Sequence, residues 1–185
     1  MNTLKNHFLI SIPHMKDPLF ERSVIFLCEH DEQGAIGLII NKEINKDSIA
    51  TTLNSESMQK AKFDDYIAKN KLFIGGPVLT NKVLFLYTGG TNNESILLND
   101  KISISSDMRL LTSIAKSNNV RHKLFFGHAG WNQGQLEREI ENGDWLLQKA
   151  TPNLIFENDA EHIWLLATHS LGIQIHDITN PPGLS

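Results

Sequence analysis

The chain has 185 residues, of which 41% are apolar and 21% charged, and its formal net charge is −4. This composition is that of an ordinary globular protein of one-domain length, and it excludes wholesale disorder. The 17 basic residues are dispersed among 21 acidic ones, which argues against direct nucleic-acid binding because such binding depends on clustered cations.

Short apolar runs of strand length recur along the whole chain. Most are continuous rather than alternating, which is typical of strands buried on both faces or of a closed barrel. The runs are residues 8–12, 24–28, 35–40, 72–74, 83–87, 96–98, 124–126 and 145–147. Polar turns at residues 30–34 and 99–100 predict two β-hairpins between neighbouring runs.

Capping residues and apolar periodicity predict three helices. The first covers residues 108–117, and the second begins at a capping box of Asn132 and Gln135 and ends before Gly143. The third covers residues 160–171. The residues of this last helix that we expect to face the core are Ile163, Leu166, Ala167 and Leu171.

Residues 47–70 are polar and weakly periodic, and we interpret them as a mobile helical insertion on the surface. Elsewhere the strands and helices intermingle without strict βαβ alternation. This order favours an α+β fold, with helices packed on a mixed or antiparallel sheet, over a doubly wound parallel sheet. We expect residues 1–185 to form a single domain.

Cysteine content and hydropathy predict a cytoplasmic protein. No apolar run approaches the roughly 20 residues that span a bilayer, and residues 8–12 are too few for a signal-peptide core. Cys28 is the only cysteine, so an intramolecular disulfide is impossible, as is usual in a reducing compartment. Because Cys28 closes an apolar run, we interpret it as a small buried hydrophobe rather than a nucleophile.

The chain lacks the common signatures of catalysis and metal binding. There is no phosphate-binding loop, dinucleotide fingerprint, nucleophile elbow, paired-cysteine motif or H-E-x-x-H motif. His162 and His169 would lie roughly 10.5 Å apart along one helix, which is too far for a single metal ion. The sequence therefore predicts no cofactor and no metal, and it favours a non-enzymatic role.

Polar side chains cluster around the first predicted hairpin. Arg22 precedes its first strand and Asn41 ends its second, so we expect them to be neighbours. His30 lies at the turn, roughly 20 Å away. Two interpretations are open: these residues satisfy the ends of the sheet, or Arg22 and Asn41 hold an anion or a partner backbone.

Two glycine-rich segments are further candidates for a binding site. Gly127 and Gly130 flank His128 between an apolar strand and a capped helix. We expect a strand-to-helix turn there, whose backbone N–H groups can bind an anion. The alternative is a tight corner beneath Trp131, with His128 as partly buried packing. Gly76 precedes a proline and marks a strand end or bulge that permits close backbone contact.

Several segments match one known family in order and at sensible spacing. They are residues 7–10, 17–18, 22–24, 29–30, 34–41, 75–78, 127–131, 134–137, 145–146 and 171–173. In these segments the chain resembles the AlgH/YqgE family. Ile36 and His128 stand where methionine and an aromatic residue are common, and residues 42–70 match poorly.

The resemblance implies a one-domain α+β fold with a barrel-like sheet flanked by about three to five helices. Members of the family have no established catalytic activity, and a role in transcriptional regulation has been proposed for some. We therefore expect a binding or regulatory module for a protein partner or a small anion. The alternatives are a direct DNA binder, which the acidic balance disfavours, and an enzyme of unrecognised class with a polar site near Arg22, Asn41 and His128. The candidate ligand-binding residues are Arg22, Asn41, Gly76, Gly127, His128 and Gly130.

Overall fold

A computed structural model describes residues 3–45, 58–89, 95–117 and 119–173 of the chain. Within these ranges nine strands form one sheet. They are β1 (His7–Ser11), β2 (Val24–Asp31), β3 (Gly34–Ile39), β4 (Leu72–Ile74), β5 (Val78–Thr88), β6 (Ile96–Asn99), β7 (Ile102–Ser105), β8 (His122–Asn132) and β9 (Trp145–Lys149). The α-helices of the same ranges are α1 (Met58–Lys69), α2 (Leu111–Lys116), α3 (Gln135–Glu141), α4 (Pro152–Phe156) and α5 (Ala160–Ser170).

The sheet is antiparallel apart from one short strand. Its order is β6-β7-β5-β8-β3-β2-β1-β9, and β4 pairs in parallel with β8 beside this path. The Asn6 side-chain amide donates to the Leu98 carbonyl at 3.0 Å, and the Asn99 amide donates to Asn6 Oδ1 at 3.1 Å. These bonds join the end of β6 to the residue before β1, so the sheet curls into a half-barrel. The α+β fold and both predicted hairpins, β2–β3 and β6–β7, are confirmed.

Strand β8 is shared by the two halves of the sheet. Its first half pairs with β4 and β5, and its second half pairs with β3 apart from one β5 pair, Val78 with His128. Between the halves Gly127 has a φ of +67°, a conformation that L side chains disfavour. Strands β3 and β8 diverge there, and the end of β4 fills the gap. The Ile39 N–H donates to the Gly75 carbonyl and the Gly75 N–H donates to the Phe126 carbonyl, both at 2.8 Å.

Two glycines lie closer to neighbouring backbone than a side chain permits. A Cβ on Gly76 would overlap the backbone of His128 and Ala129. A Cβ on Gly127 would lie 2.6 Å from the Gly76 carbonyl oxygen and 2.8 Å from that of Val78. The backbone approach expected at Gly76 is therefore present, and both glycines are required by packing.

The prediction of a strand-to-helix turn at residues 127–131 is wrong. Gly127, His128 and Gly130 all lie inside β8, because the second half of this strand continues along β3. The chain turns only afterwards, at Gly134, whose φ is +68°. The Gln135 side chain accepts from the Asn132 N–H at 3.1 Å, so half of the predicted capping box forms.

The core has one inner and two outer parts. The inner cluster joins the concave face of the sheet to α4 and α5, and an outer cluster lies beneath α1 and α2. The other outer cluster packs α3 against Trp131 and Trp145. Both indole N–H groups donate to Glu139 Oε2, at 2.8 and 2.9 Å, which fixes α3 to the sheet.

Helix α5 confirms part of the predicted apolar stripe. Ile163 and Ala167 are buried, together with Ala160 and Trp164, as an i, i+3, i+4, i+7 pattern requires. Leu166 is 44% exposed because it lies on another face of the helix. Leu171 is also exposed, because it follows the last helical residue. None of the described helices is long and apolar enough to cross a membrane.

Helix α1 occupies the second part of the predicted insertion. Its Phe63 and Tyr66 are buried against the outer face of the sheet, so this helix is a packed element rather than an exposed one. Residues 47–57 of the insertion lie outside the described part of the chain. The mobility of this segment and the single-domain organisation stay predictions.

We expect Gly127→Ala to destabilise the protein far more than Gly143→Ala. Both glycines have a positive φ, +67° and +81°, but among the described residues nothing lies within 4 Å of a Cβ on Gly143. The control variant acquires only backbone strain, about 1 kcal/mol, whereas Gly127→Ala must also displace two carbonyls, which adds about 2 kcal/mol or more. Urea unfolding measures both losses. Equal losses would contradict the packing described for β8.

Candidate functional site

A cavity of about 850 Å³ lies beside an irregular part of β5. The pairing of β5 with β8 jumps from Val78–His128 to Val83–Phe126, so residues 79–82 leave the ladder. The space reaches from the inner face of the sheet to the middle of α1, where Phe63 and Asp64 line it. Its apolar lining in the described residues includes Cys28, Phe63, Leu84, Leu98, Ile104 and Met108. The volume is within the range of known ligand pockets, roughly 300–1,000 Å³.

The mouth of this cavity carries exposed apolar side chains. Ile36 is 38% exposed, Leu79 is 57% exposed and Ile96 is 66% exposed. Leu79 also has a φ of +50°, which is rare for a bulky residue and is strained. Large apolar side chains grouped on a concave surface are typical of binding sites rather than of ordinary solvent-facing surface.

Charged and titratable groups lie around this apolar lining. Lys5, Lys82, Glu29 and Asp64 line the cavity, and none has an ion-pair partner within the described residues. His128 also lines it and is partly buried, and burial lowers the pKa of its imidazole. At neutral pH this side chain is therefore an uncharged hydrogen-bonding group.

Cys28 belongs to the apolar wall of the cavity. The side chain is buried, and burial raises the pKa of its thiol to about 12. Its Sγ lies 3.6 Å from the Phe26 carbonyl, to which it donates. The thiol is therefore protonated at neutral pH, which confirms the interpretation of Cys28 as a small buried hydrophobe.

Arg22 and Asn41, the first two predicted site residues, are neighbours. The Asn41 amide donates to the Arg22 carbonyl at 2.9 Å, and Asn41 Oδ1 accepts from the Val24 N–H at 2.8 Å. The Arg22 guanidinium lies 5.8 Å from the ring centroid of Trp164, within the distance of a cation–π interaction. Asn41 thus closes the end of the β2–β3 hairpin, where Arg22 has a φ of +51°.

Gly76, Gly127, His128 and Gly130 form a second group around the bend in β8. Only His128 of these lines the cavity, and a Cβ on Gly130 would lie 4.0 Å from the His128 ring. Arg22 and Asn41 are absent from the described lining. The six predicted residues are therefore divided between two places, and their role in ligand binding stays a prediction.

His30, at the predicted hairpin turn, is buried in a hydrogen-bonded pair. Its Nδ1 accepts from the Leu4 N–H at 2.9 Å, so Nε2 carries the proton and donates to Glu137 Oε1 at 2.9 Å. The backbone N–H of Glu137 and the His30 contact lower the pKa of this carboxyl. The pair fastens α3 to β2 and has a structural role.

Lys123 is a buried cation, although lysines are mostly exposed in folded proteins. Its residue is 8% exposed, its Nζ donates to the Ile40 carbonyl at 3.2 Å, and it lies 4.4 Å from the ring centroid of Phe73. Burial lowers the pKa of the ammonium group to about 8. Side chains alternate between the two faces of a strand, so Lys123 lies on the same face of β8 as Phe125 of the inner core. This spacing is the sequence feature that indicates burial of Lys123.

Metal binding has no support in the described part of the chain, where no three His, Cys, Asp or Glu side chains are grouped to hold an ion. His162 and His169 lie on α5, as predicted, and His176 lies outside the described residues.

The fold and the site can now be compared with known proteins. A family model described as AlgH-like (DUF179) matches residues 8–176. The chain belongs to the AlgH-like family. A UPF0301 protein of Proteus mirabilis (strain HI4320) is 38% identical over 186 residues, and one of Shewanella woodyi is 38% identical over 185 residues. Each alignment covers 99% of both chains. The resemblance inferred from the sequence is confirmed.

Two solved structures of similar proteins agree with this fold. The solution structure of the AlgH protein from Pseudomonas aeruginosa has a TM-score of 0.76 and 31% identity, and the match covers 100% of this chain and 97% of that one. A crystal structure of a Corynebacterium diphtheriae protein has a TM-score of 0.66 and 22% identity, with coverage of 92% and 87%. The second likeness shows the fold alone.

We expect Lys123→Met to stabilise the protein at pH 7, by roughly 1–2 kcal/mol. The pKa of Lys123 is about 8 in the folded chain and about 10.4 in the unfolded chain. At a pH between these two values the amine is protonated when unfolded and neutral when folded, so folding releases a proton. The free energy of unfolding of the wild type therefore increases as the pH rises from about 8 to about 10.4. The loss of one hydrogen bond reduces the advantage of the variant.

Urea unfolding at several pH values measures this difference, with Lys101→Met as the control because Lys101 is exposed. The advantage of Lys123→Met should shrink between pH 8 and 10.4, while the control shows no such change. An advantage that is constant across this range would contradict the low pKa of Lys123.

Proposed function

We propose that this chain is a cytoplasmic binding module that holds the apolar anchor of a protein partner in the cavity beside β5. The observation that carries the proposal is the ring of exposed Ile36, Leu79 and Ile96 around a preformed apolar space. Burial of one such side chain on association contributes roughly 1.5–3 kcal/mol. An anchor residue that enters the cavity would contribute a large share of the binding free energy.

The charges at the mouth support a protein partner over a small anion. Lys5 and Lys82 are accompanied by Glu29 and Asp64, so the lining has no excess of positive charge. A simple anion gains little from such a mixture, whereas a polypeptide with both signs of charge can be oriented by it. We therefore place the small anion second among the ligands of this cavity.

The enzymatic alternative near Arg22, Asn41 and His128 has weaker support. A catalytic site needs its polar groups to converge on one pocket. Here the Asn41 amide is used in hydrogen bonds at the end of the hairpin, and only His128 faces the cavity. We assign any part in transcriptional regulation to the contact with a partner rather than to direct binding of DNA.

We expect the uncharged fluorescent apolar dye Nile red to bind the native chain and Ile36→Lys to weaken this binding about tenfold. A lysine at the mouth places charge against the apolar lining and makes dye burial unfavourable. The matched control is Leu166→Lys on α5, where a leucine of similar exposure, 44% against 38%, lies outside the described lining. Titration of dye fluorescence gives both affinities. Equal weakening by the two variants, or no binding to the native chain, would contradict the proposed site.

The partner is tested by placing a photo-activated crosslinking residue at position 79 or at position 166 in living cells. We expect one discrete adduct from position 79 that disappears when Ile36→Lys is combined with it, and no such adduct from position 166. Position 79 without an adduct, or with one insensitive to Ile36→Lys, would count against a partner at this cavity.

A further inference from the structure

A second pocket, of about 350 Å³, lies where β4 and the start of β8 meet the segment between α4 and α5. Within the described residues it shares no lining side chain with the cavity beside β5. Its lining is mainly polar, with Asn70 and Asn158 as amides and Lys123 and Phe73 at one wall. The other charged or titratable side chains are Glu43, Tyr66, Lys69, Lys71, His122, Glu157 and Asp159.

The Lys123 amine in this pocket lacks a carboxylate partner. Its Nζ has one hydrogen bond, to the Ile40 carbonyl at 3.2 Å, and no carboxylate of the described residues lies within 4 Å. The nearby carboxylates are engaged elsewhere, since Lys71 Nζ lies 2.8 Å from Glu43 and 3.5 Å from Asp159. An ammonium group has three donors, so Lys123 keeps capacity for a further ligand.

Burial makes this amine a better nucleophile than an ordinary lysine. Desolvation has the largest effect and lowers the pKa of Lys123. Glu43 raises this pKa by less, Lys71 lowers it by less again, and Asp159 raises it least. With a pKa of about 8, about a quarter of the amines are neutral at pH 7.5, against about 0.1% for a lysine of pKa about 10.4. Neutral amines attack carbonyl carbons, and desolvated lysines serve this purpose in enzymes.

We propose that Lys123 forms a reversible imine with a small hydroxylated aldehyde or ketone that enters this pocket. The volume of about 350 Å³ suits a small ligand. The lining presents carboxylates and side-chain amides, which are the groups that hydrogen-bond to hydroxyls. A purely apolar aldehyde would displace the water bound to these carboxylates and amides without replacing its hydrogen bonds. It is therefore a poorer ligand.

The step is a condensation that needs only the carbonyl compound. Nζ attacks the carbonyl carbon, so a C–N bond forms while the C=O π electrons move to oxygen. After a proton passes from nitrogen to oxygen, the carbinolamine loses water as the nitrogen lone pair forms the C=N bond. Glu43 and Asp159 lie in the same pocket and supply acid–base groups for these proton transfers. Hydrolysis of the imine releases the carbonyl compound unchanged.

Reductive trapping on the native chain tests this proposal. The chain is incubated at pH 7.5 with D-glyceraldehyde and sodium cyanoborohydride, which reduces the imine to a stable secondary amine, and the modified lysines are found by peptide mass spectrometry. We expect Lys123 to be modified at least tenfold faster than exposed Lys101 and than Lys71, whose side chain is 58% exposed in the same pocket. Modification of Lys123 at the rate of Lys101, or none, would overturn the proposal.

Propionaldehyde, which has the same number of carbons but no hydroxyls, tests the class of ligand. The ratio of the Lys123 rate to the Lys101 rate should fall at least threefold with this aldehyde. An unchanged ratio would overturn the assignment of a hydroxylated ligand.

Lys123→Met provides a control that separates the two sites. This variant should lose the trapped adduct and bind Nile red as the native chain does, because the pockets share no described lining residue. Persistence of the adduct in the same peptide would show that another group is the nucleophile and would overturn the proposal.

Discussion

The bend of β8 at Gly127 is the constraint on which the rest of the structure depends. Because φ is +67° at this residue, one strand pairs mainly with β5 on one side of the bend and mainly with β3 on the other. The fit requires Gly76 to lie against the backbone of His128 and Ala129. The sheet consequently curls, and β5 loses its register beside the bend. The cavity proposed as a partner site is the space that this loss of register leaves.

Local patterns predicted the elements well because the physics that forms them is local. Continuous apolar runs identified the strands, and polar turns identified both hairpins. The same reasoning failed at residues 127–131, where two glycines before a capped helix indicated a turn. The chain instead stays extended, because Ala129 and Trp131 pair with Gly37 and Ala35 of a distant strand. A contact across roughly 90 residues leaves no signature at Gly127 that distinguishes a bend within a strand from a turn after one.

In the candidate sites, too, contacts between residues near in sequence were predictable and contacts between distant segments were not. Arg22 and Asn41 were predicted to be neighbours because a single hairpin joins them, and they are. The enzymatic alternative grouped His128 with them, yet it faces a cavity assembled from six separate strands and a helix. Lys123 was overlooked since its charge suggested a surface position, although its place in the alternation with Phe125 pointed inward. Burial of that amine follows from its position over Phe73 of β4 and beside the Ile40 carbonyl, which follows β3.

Native-state hydrogen exchange on β8 tests the shared strand most directly. We expect the amides on the two sides of Gly127, for example those of Phe125 and Trp131, to exchange through one opening reaction with the same free energy and the same dependence on denaturant. That result means that both halves of the sheet unfold as a unit. Opening energies that differ by more than about 2 kcal/mol across the bend would show two independent halves and would contradict this account.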